Sequence, residues 1–574
     1  MPRRGKPRTA AYDTLARVNQ PTPAIVAQSA VRRLPRWALL LFCAAYVLPG
    51  FLGRDPWRAQ DATAFGYMLE LARGATDWLA PRLLGQPPDY DALLPYWLGA
   101  WAMRAAPAWV PADFAARVPF IALLALTLAA TWYGVYNLAR SPAAQPVPFA
   151  FGGEARPKDY ARAIADGGLL ALVATLGLMQ LSHETTPALA QLAFSTLAFY
   201  GLAALPFRTW VATVALVIAL PALALSGAPS TAVLLAAGGA VLSVVDWPAE
   251  EERRAPARWW WAAGLLVLAA VVALLASSFG LWRWRVESAA ERHWDASIRL
   301  LLWFTWPAGP LALWTVWRWR RQLASRHVAL PLWFALVAIV STLMTPSSDR
   351  SLLLGLPALA ALAVFALPTL RRSVSALIDW FTLLFFTLCA VVIWGVWTSL
   401  QTGVPAKPAA NVARLAPGYV PSFSLLAFGL ALAGTLAWLW LVKWRAGRHQ
   451  SALWKSLVLP AGGAALCWLL VMTLWLPVLD YARSYAAVVR GISQSIAPGA
   501  CVEATGISRA HASALRFHGD LDLRPVGSSP ACIWLVVGPD AQELPDKARW
   551  DLAATVGRAN DPRDQFHLYR RKRR

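Results

Sequence analysis

Carboxylates that stand beside apolar runs are the residues of this sequence best suited to chemistry. Asp61 opens a stretch of helical composition that runs to Gly74, and a carboxylate at a helix N-terminus is kept ionised by the helix dipole. Such a group suits a general base, and it equally suits a simple helix cap. Other acids lie in the segments that separate the apolar runs: Asp55, Glu70, Asp77, Asp89, Asp91, Glu184 and Asp349.

The composition indicates whether these groups belong to a water-soluble or a membrane protein. Of the 574 residues, 58% are hydrophobic and 15% are charged, and the mean hydropathy is +0.46. Charge this sparse cannot cover a soluble surface, which excludes an ordinary soluble enzyme. The 32 tryptophans are typical of a chain that meets the headgroup level of a bilayer.

Apolar runs long enough to cross a bilayer recur along the chain. They predict about 13 transmembrane helices, with these cores: Trp37–Leu52, Ala115–Leu138, Gly167–Leu181, Ala188–Leu205, Trp210–Leu225, Thr231–Val245, Trp260–Leu275, Leu300–Trp317, Val328–Leu343, Leu353–Leu367, Ala376–Trp397, Phe423–Val442 and Leu457–Leu476. The predicted fold class is therefore an α-helical polytopic membrane protein.

The formal net charge is +22, and the distribution of the basic residues among the loops tests this predicted path of the chain through the membrane, the threading. Every second loop is basic, as the positive-inside rule requires when the N-terminus is cytoplasmic. Most of the positive charge thus fixes orientation, and nucleic-acid binding is not expected. An odd number of spans places the C-terminal tail on the extracytoplasmic side.

Three regions follow from this threading. Residues 1–36 form a basic cytoplasmic tail, residues 37–479 form the transmembrane domain, and residues 480–574 form a small α/β unit outside.

The C-terminal unit is predicted from strand-like Cys501–Thr505, helical Ser508–Phe517, and strand-like Cys532–Val537 and Phe566–Tyr569. A disulfide between Cys501 and Cys532 is expected in an oxidising compartment. A long first outer loop occupies residues 53–113.

Acids from several outer loops share one side of the membrane in this threading. A site built from several loops is what an enzyme needs when one substrate is held in the membrane and another docks from outside. His183 and Glu184, at the outer end of the third span, are a second candidate site, with a structural hydrogen bond as the alternative. No metal-ligand spacing stands out, although a divalent cation is left open.

The first outer loop resembles that of a known family. The residues that carry the resemblance are Asp61–Phe65, Asp77–Leu83 with Gly85 and Pro87, Tyr96–Ala100 and Ala115–Pro119. They resemble the first periplasmic loop of the aminoarabinose lipid A transferases. Together with the protein mannosyltransferases, these are membrane-embedded GT-C glycosyltransferases that use polyprenyl-phosphate sugars. Ser348–Pro357 resembles a later outer segment of the same family.

The resemblance implies a function and a set of site residues. It implies an inverting transfer of a sugar from undecaprenyl phosphate or a similar carrier to a lipid A-like lipid, a glycan or a protein, at the periplasmic face of a bacterial inner membrane. It places the family's essential aspartate on Asp61, as base or as a residue that orients the acceptor. Asp55, Asp89, Asp91 and Glu184 are secondary acidic candidates, and His183, Tyr90 and Trp97 are candidate substrate contacts.

The sequence departs from the family pattern where the family has a glutamate and a lysine. Those positions are Tyr90 and Asp91 here, so a positive charge for the phosphate must come from elsewhere. The candidates are Arg58, Arg82, Arg283, Arg285 and Arg350. Arg283 and Arg285 lie in an outer loop, against the positive-inside pattern, which suggests a bound anion, and contact with lipid headgroups is the alternative.

Two other functions remain open from the sequence. A polytopic transporter would place ionisable residues and broken helices near mid-membrane, whereas the central spans here are nearly free of charge. A protein that handles lipid-linked sugars without catalysing transfer is the second alternative. Membrane lipids are expected partners in every case.

Overall fold

The computed structural model describes residues 22–57, 59–89, 91–245, 255–282, 294–345, 349–446, 452–527, 532–542, 545–558 and 561–572. In this part of the chain, long helices precede a small C-terminal sheet. The helices are α1 Arg36–Val47, α2 Gln60–Arg73, α3 Leu94–Ala105, α4 Ala112–Ala139, α5 Pro157–Ala174, α6 Pro187–Ala204, α7 Thr209–Leu225, α8 Pro229–Val245, α9 Ala255–Ser278, α10 Trp294–Phe304, α11 Ala308–Arg318, α12 Arg326–Met344, α13 Asp349–Leu353, α14 Leu356–Ala366, α15 Arg372–Thr402, α16 Ala406–Leu415, α17 Leu425–Ala446, α18 Lys455–Leu470, α19 Leu476–Arg483, α20 Ala486–Ser493 and α21 Arg509–His518.

Many of these helices are apolar enough to cross a membrane. Among the described residues, seven helices satisfy both length and hydropathy, or eight when the bent pair Pro157–Ala174 and Leu176–His183 counts as one span. Shorter apolar helices are Arg36–Val47, Thr209–Leu225, Pro229–Val245 and Leu356–Thr369. The expected polytopic helical architecture is confirmed, and the count of 13 spans stays a prediction.

Two of the predicted spans are broken. The run Leu300–Trp317 divides into α10 and α11, and the break contains Pro307, which has no N–H to continue a helix. The run Gly167–Leu181 bends by 65° after α5. At this bend the Leu176 N–H donates to the Trp306 carbonyl at 3.0 Å. One irregular segment therefore satisfies a backbone N–H of the other, and a low-dielectric environment requires such pairing.

The first outer loop contains the predicted helix. It forms as α2 and ends where Gly74 takes a left-handed conformation, φ 71°. The Arg104 guanidinium donates to the Leu71 and Ala72 carbonyls at 2.9 and 3.0 Å, which satisfies the helix end. Most of α2 is buried, because helix α21 of the C-terminal unit and helix α3 both pack against it.

The C-terminal unit is a small α/β fold, as the sequence predicted. Its strands are β1 Cys501–Thr505, β2 Asp522–Pro525, β3 Trp534–Val537, β4 Trp550–Arg558 and β5 Asp561–Arg571. Among the described residues they form one sheet in the order β2-β1-β3-β5-β4. Strand β1 is parallel to β2 and β3, and β5 runs antiparallel to β3 and β4. Strands β2 and β4 were not predicted from the sequence.

Helix α21 of this unit packs against α2. The Phe65 and Phe517 rings meet edge to face with centroids 4.8 Å apart. Ion pairs flank the rings: Glu70 with Arg516 at 3.3 Å, Arg73 with Asp520 at 3.2 Å, and Asp89 with Arg509. The C-terminal unit thereby holds the helix that begins beside Asp61.

Gly66 allows this close packing, and Gly66→Ala is expected to weaken it. A Cβ atom at position 66 would lie 2.7 Å from the Ser513 Cβ and 2.9 Å from Leu83 Cδ2, so the helices must separate. We expect a loss of about 1–3 kcal/mol in the free energy of unfolding, seen as a lower Tm in detergent. Gly264→Ala is the control, because a Cβ atom there meets nothing within 4 Å. Equal Tm values for the two variants would contradict the packing described.

A disulfide joins Cys501 and Cys532 across 31 positions of sequence. Closing a loop of this length restricts the unfolded chain and contributes about 3.7 kcal/mol. Reduction is therefore expected to lower the unfolding temperature of the C-terminal unit. The double variant Cys501→Ser/Cys532→Ser should have the same lowered value with and without reductant. An unchanged Tm after complete reduction would refute this expectation.

Candidate active site

Asp61 is buried against the Arg54 guanidinium. Arg54 Nη1 lies 2.6 Å from Asp61 Oδ2, and each side chain is only 2% exposed. Arg54 follows the turn after α1, and Asp61 lies in the first turn of α2. Arg54 also donates through Nε to the Gly50 carbonyl at 2.9 Å and through Nη2 to the His183 carbonyl at 2.7 Å. This arginine therefore joins three segments of the chain.

Both carboxylate oxygens of Asp61 accept from further groups. Oδ2 also accepts from the Trp57 N–H at 3.1 Å. Oδ1 accepts from the Thr185 N–H at 2.8 Å and from the Thr185 hydroxyl. A carboxylate has about four lone-pair sites, so these donors fully engage Asp61.

The same contacts decide the charge of Asp61. Burial alone would raise the pKa of Asp61, but Arg54, the Thr185 hydrogen bond, Arg117 and the Trp57 N–H together hold its pKa below the ordinary value. An ionised carboxylate with a low pKa and occupied oxygens binds a proton poorly. The geometry suits a group that positions its neighbours.

Glu184 forms a second ion pair close to the first. Its Oε2 lies 2.9 Å from Arg350 Nη2, and the side chains are 13% and 21% exposed. Burial raises the pKa of Glu184. The Arg350 charge lowers this pKa in part, and the negative charge of Asp61 raises it further. Glu184 is thus a better proton acceptor than Asp61.

A small cleft lies between the two pairs. One residue of each ion pair lines it, Arg54 of the first and Glu184 of the second. The other lining residues include Trp57, Gln180, Trp468 and Met472. Gly50 also lines it, and a Cβ atom there would lie 2.3 Å from His183 Cδ2 and 2.6 Å from Trp468 Cζ2. Only glycine lets these rings approach the end of α1.

The cleft combines the groups that a polar transfer reaction needs. A half-buried carboxylate can take or orient a proton, and the neighbouring guanidinium can neutralise a developing negative charge. Indole rings and a methionine supply apolar walls, so charges inside the cleft interact strongly. The arrangement fits transfer of a group away from an anionic leaving group.

Comparisons with known proteins place this geometry in a known fold. No family model matches the sequence, and no curated protein matches it. Two crystal structures of ArnT from Cupriavidus metallidurans, one bound to undecaprenyl phosphate and one in the apo state, match with a TM-score of 0.59 and 14% identity. Each match covers 93% of this chain and 98% of the ArnT chain. The chain has the ArnT fold.

The ArnT fold brings together part of the predicted site. Glu184 and His183 line the cleft. Asp61 and Arg350 do not line it themselves, but each is paired with a residue that does, Asp61 with Arg54 and Arg350 with Glu184. The ring nitrogens of His183 face the Tyr46 and Met179 carbonyls at 3.1 and 2.5 Å. This arrangement corresponds to the structural hydrogen bond that the sequence analysis left as the alternative for His183.

Other predicted residues do not line the cleft. Asp55 accepts from the Ser484 hydroxyl at 2.6 Å and faces His518 at 3.8 Å, so it points to the C-terminal unit. Asp89 pairs with Arg509 of α21. Asp91 is not among the lining residues, and its carbonyl faces Gly227.

Arg82 and Trp97 belong to the packing of the first loop. Arg82 is exposed and donates to the Gly85 carbonyl at 3.1 Å. The Trp97 indole donates to the Trp78 carbonyl at 2.7 Å. These bonds tie the loop to itself, so neither side chain reaches the cleft of the ArnT fold. The remaining candidates, Arg58, Tyr90, Arg283 and Arg285, lie outside the described residues.

Several residues of this site were not predicted from the sequence. Arg54 stands seven positions before Asp61, and its place just after an apolar run was the available signal. Thr185 and Trp468 carry no local signal, because a threonine after a charged pair and a tryptophan in a span are both common. Among the described residues, no group of three or more His, Cys, Asp or Glu could hold a metal ion, so no residues there are assigned to a divalent cation.

Proposed function

We propose that this protein is a polyprenyl-phosphate-sugar-dependent glycosyltransferase. The observation that carries the proposal is a cleft lined by Arg54 and Glu184, each held in a carboxylate–guanidinium pair, in a chain with the ArnT fold. Undecaprenyl phosphate is bound in one of the ArnT structures, which supports a lipid-phosphate-linked sugar as donor. A lipid A-like lipid, a glycan or a protein is the acceptor.

The site residues take distinct roles in this proposal. Asp61, held by Arg54 and Thr185, is a positioning residue that fixes the segments around the cleft. Glu184 orients the nucleophilic oxygen of the acceptor and takes its proton when it carries one. Arg350 neutralises the phosphate that leaves.

The reaction is a single displacement at the anomeric carbon. The acceptor oxygen forms the new glycosidic bond while the bond from the anomeric carbon to the phosphate oxygen breaks. The electron pair of that bond leaves with the lipid phosphate, and the configuration at the carbon inverts. We place the cleft at the periplasmic face of a bacterial inner membrane, with the N-terminus in the cytoplasm and the C-terminal unit outside.

Transfer by the purified protein tests this proposal. The full chain, reconstituted in lipid nanodiscs, would be incubated with undecaprenyl-phosphate-linked sugars and membrane extract. Mass spectrometry of lipid A, surface glycans and envelope proteins from wild-type and deletion strains would identify the acceptor. We expect one of these classes to lose a sugar on deletion. Unchanged glycans together with loss of uptake of a solute would instead favour the transporter.

A further inference from the structure

Trp468 lines the cleft, and its indole carries an unused hydrogen-bond donor. The residue is 6% exposed, and its indole Nε1 is buried without a hydrogen-bond partner among the described residues. A buried donor left without an acceptor costs about as much as a lost hydrogen bond. The Trp468 N–H is therefore available to an acceptor that is not one of the described protein groups.

Neighbouring tryptophans have their donors satisfied. In the same membrane-spanning segment, Trp475 donates to the Ile393 carbonyl at 3.0 Å, and Trp454, just before α18, donates to the Arg32 carbonyl at 2.7 Å. Trp438 of α17 donates to the Thr387 hydroxyl at 3.2 Å. Trp468 differs from these three in that it lines the cleft.

Packing fixes the Trp468 ring in place. The His183 ring lies against it with centroids 4.6 Å apart, and the indole edge packs on the backbone of Gly50, with Cζ2 only 2.6 Å from the place a Cβ atom would take. One turn later the helix widens into a π-turn over Val471–Trp475, which is a frequent feature of functional sites. Met472 from that turn also lines the cleft.

We infer that Trp468 is a substrate-binding residue whose indole N–H donates to an oxygen of the lipid-phosphate-linked sugar. This inference rests on the proposed function. The phosphate group and the sugar hydroxyls both offer acceptor oxygens, and Arg54, Gln180 and Glu184 surround the same space. Trp468 thus adds a neutral donor from helix α18, whereas Arg54, Gln180 and Glu184 lie between α-helices.

Replacing Trp468 with phenylalanine tests the inference, because it removes the N–H and keeps an aromatic ring. The control is Trp475→Phe, which makes the same change in volume seven residues along the chain. Binding of undecaprenyl phosphate and of undecaprenyl phosphate linked to aminoarabinose would be measured with the full chain in nanodiscs. Thermal unfolding of both variants without ligand would be measured in parallel.

We expect Trp468→Phe to raise Kd about tenfold, as for loss of a hydrogen bond to a charged or polar oxygen. Weaker binding of both probes assigns the acceptor to the phosphate, and weaker binding of the sugar-linked probe alone assigns it to the sugar. Trp475→Phe should bind as wild type and should lower Tm more than Trp468→Phe, because it alone loses a protein hydrogen bond. Equal Kd values for wild type and Trp468→Phe would overturn the inference alone. Wild-type protein that binds neither probe would overturn the proposed function as well.

Discussion

Asp61→Asn is expected to reduce sugar transfer by at least about 100-fold, the cost of a small misplacement of reacting groups. It is also expected to destabilise the fold by about 3–5 kcal/mol, because it leaves the buried Arg54 without a counter-charge. The sequence alone predicts only the loss of activity. Transfer rates in nanodiscs and thermal unfolding in detergent measure the two effects separately.

A double-mutant cycle separates these two effects. Arg54→Gln should be as damaging as Asp61→Asn, and the variant with both changes should be less destabilised than the sum of the single losses. Its activity should stay low, because the segments around the cleft lose their common anchor. Asp77→Asn is the matched control, since this exposed aspartate of the same loop only accepts from the Leu79 N–H. Additive destabilisation would contradict a direct Arg54–Asp61 coupling.

Glu184→Gln is expected to lower kcat by about 10²–10⁴ if Glu184 takes the acceptor proton. The loss of stability should be smaller than for Asp61→Asn, because Glu184 is less buried and has one ion pair. Glu154→Gln is a control with a comparable half-buried glutamate outside the cleft. Retained turnover in Glu184→Gln would move the proton acceptor to another group.

Arg350 sets the pH dependence of the same step. Burial raises the pKa of Glu184 and Arg350 lowers it, so the active carboxylate is lost as pH falls through the raised value. Arg350→Gln removes the lowering charge, and the acid limb of the kcat/KM profile should move to higher pH. Arg350→Lys keeps the charge and should leave the limb closer to its wild-type position. A limb that does not move in Arg350→Gln would show that another group titrates.

Elements whose signal is local could be predicted from the sequence. The helix predicted from Asp61 to Gly74 forms as Gln60–Arg73, because helical composition and a terminal glycine are both short-range features. The prediction of a strand over Cys501–Thr505 is also confirmed. Strands Asp522–Pro525 and Trp550–Arg558 were missed, since both lie at the edges of the sheet and lack a continuous apolar run.

The sequence by itself determined the solvent, because 58% hydrophobic and 15% charged residues leave a bilayer as the environment for most helices. It also marked Asp61, Glu184 and Arg350 as candidate site residues. Only the tertiary structure decided which of them meet. Thr185 contacts Asp61 across 124 positions, and Arg350 contacts Glu184 across 166. Contacts of this range depend on how whole helices pack, and no local pattern of residues encodes that packing.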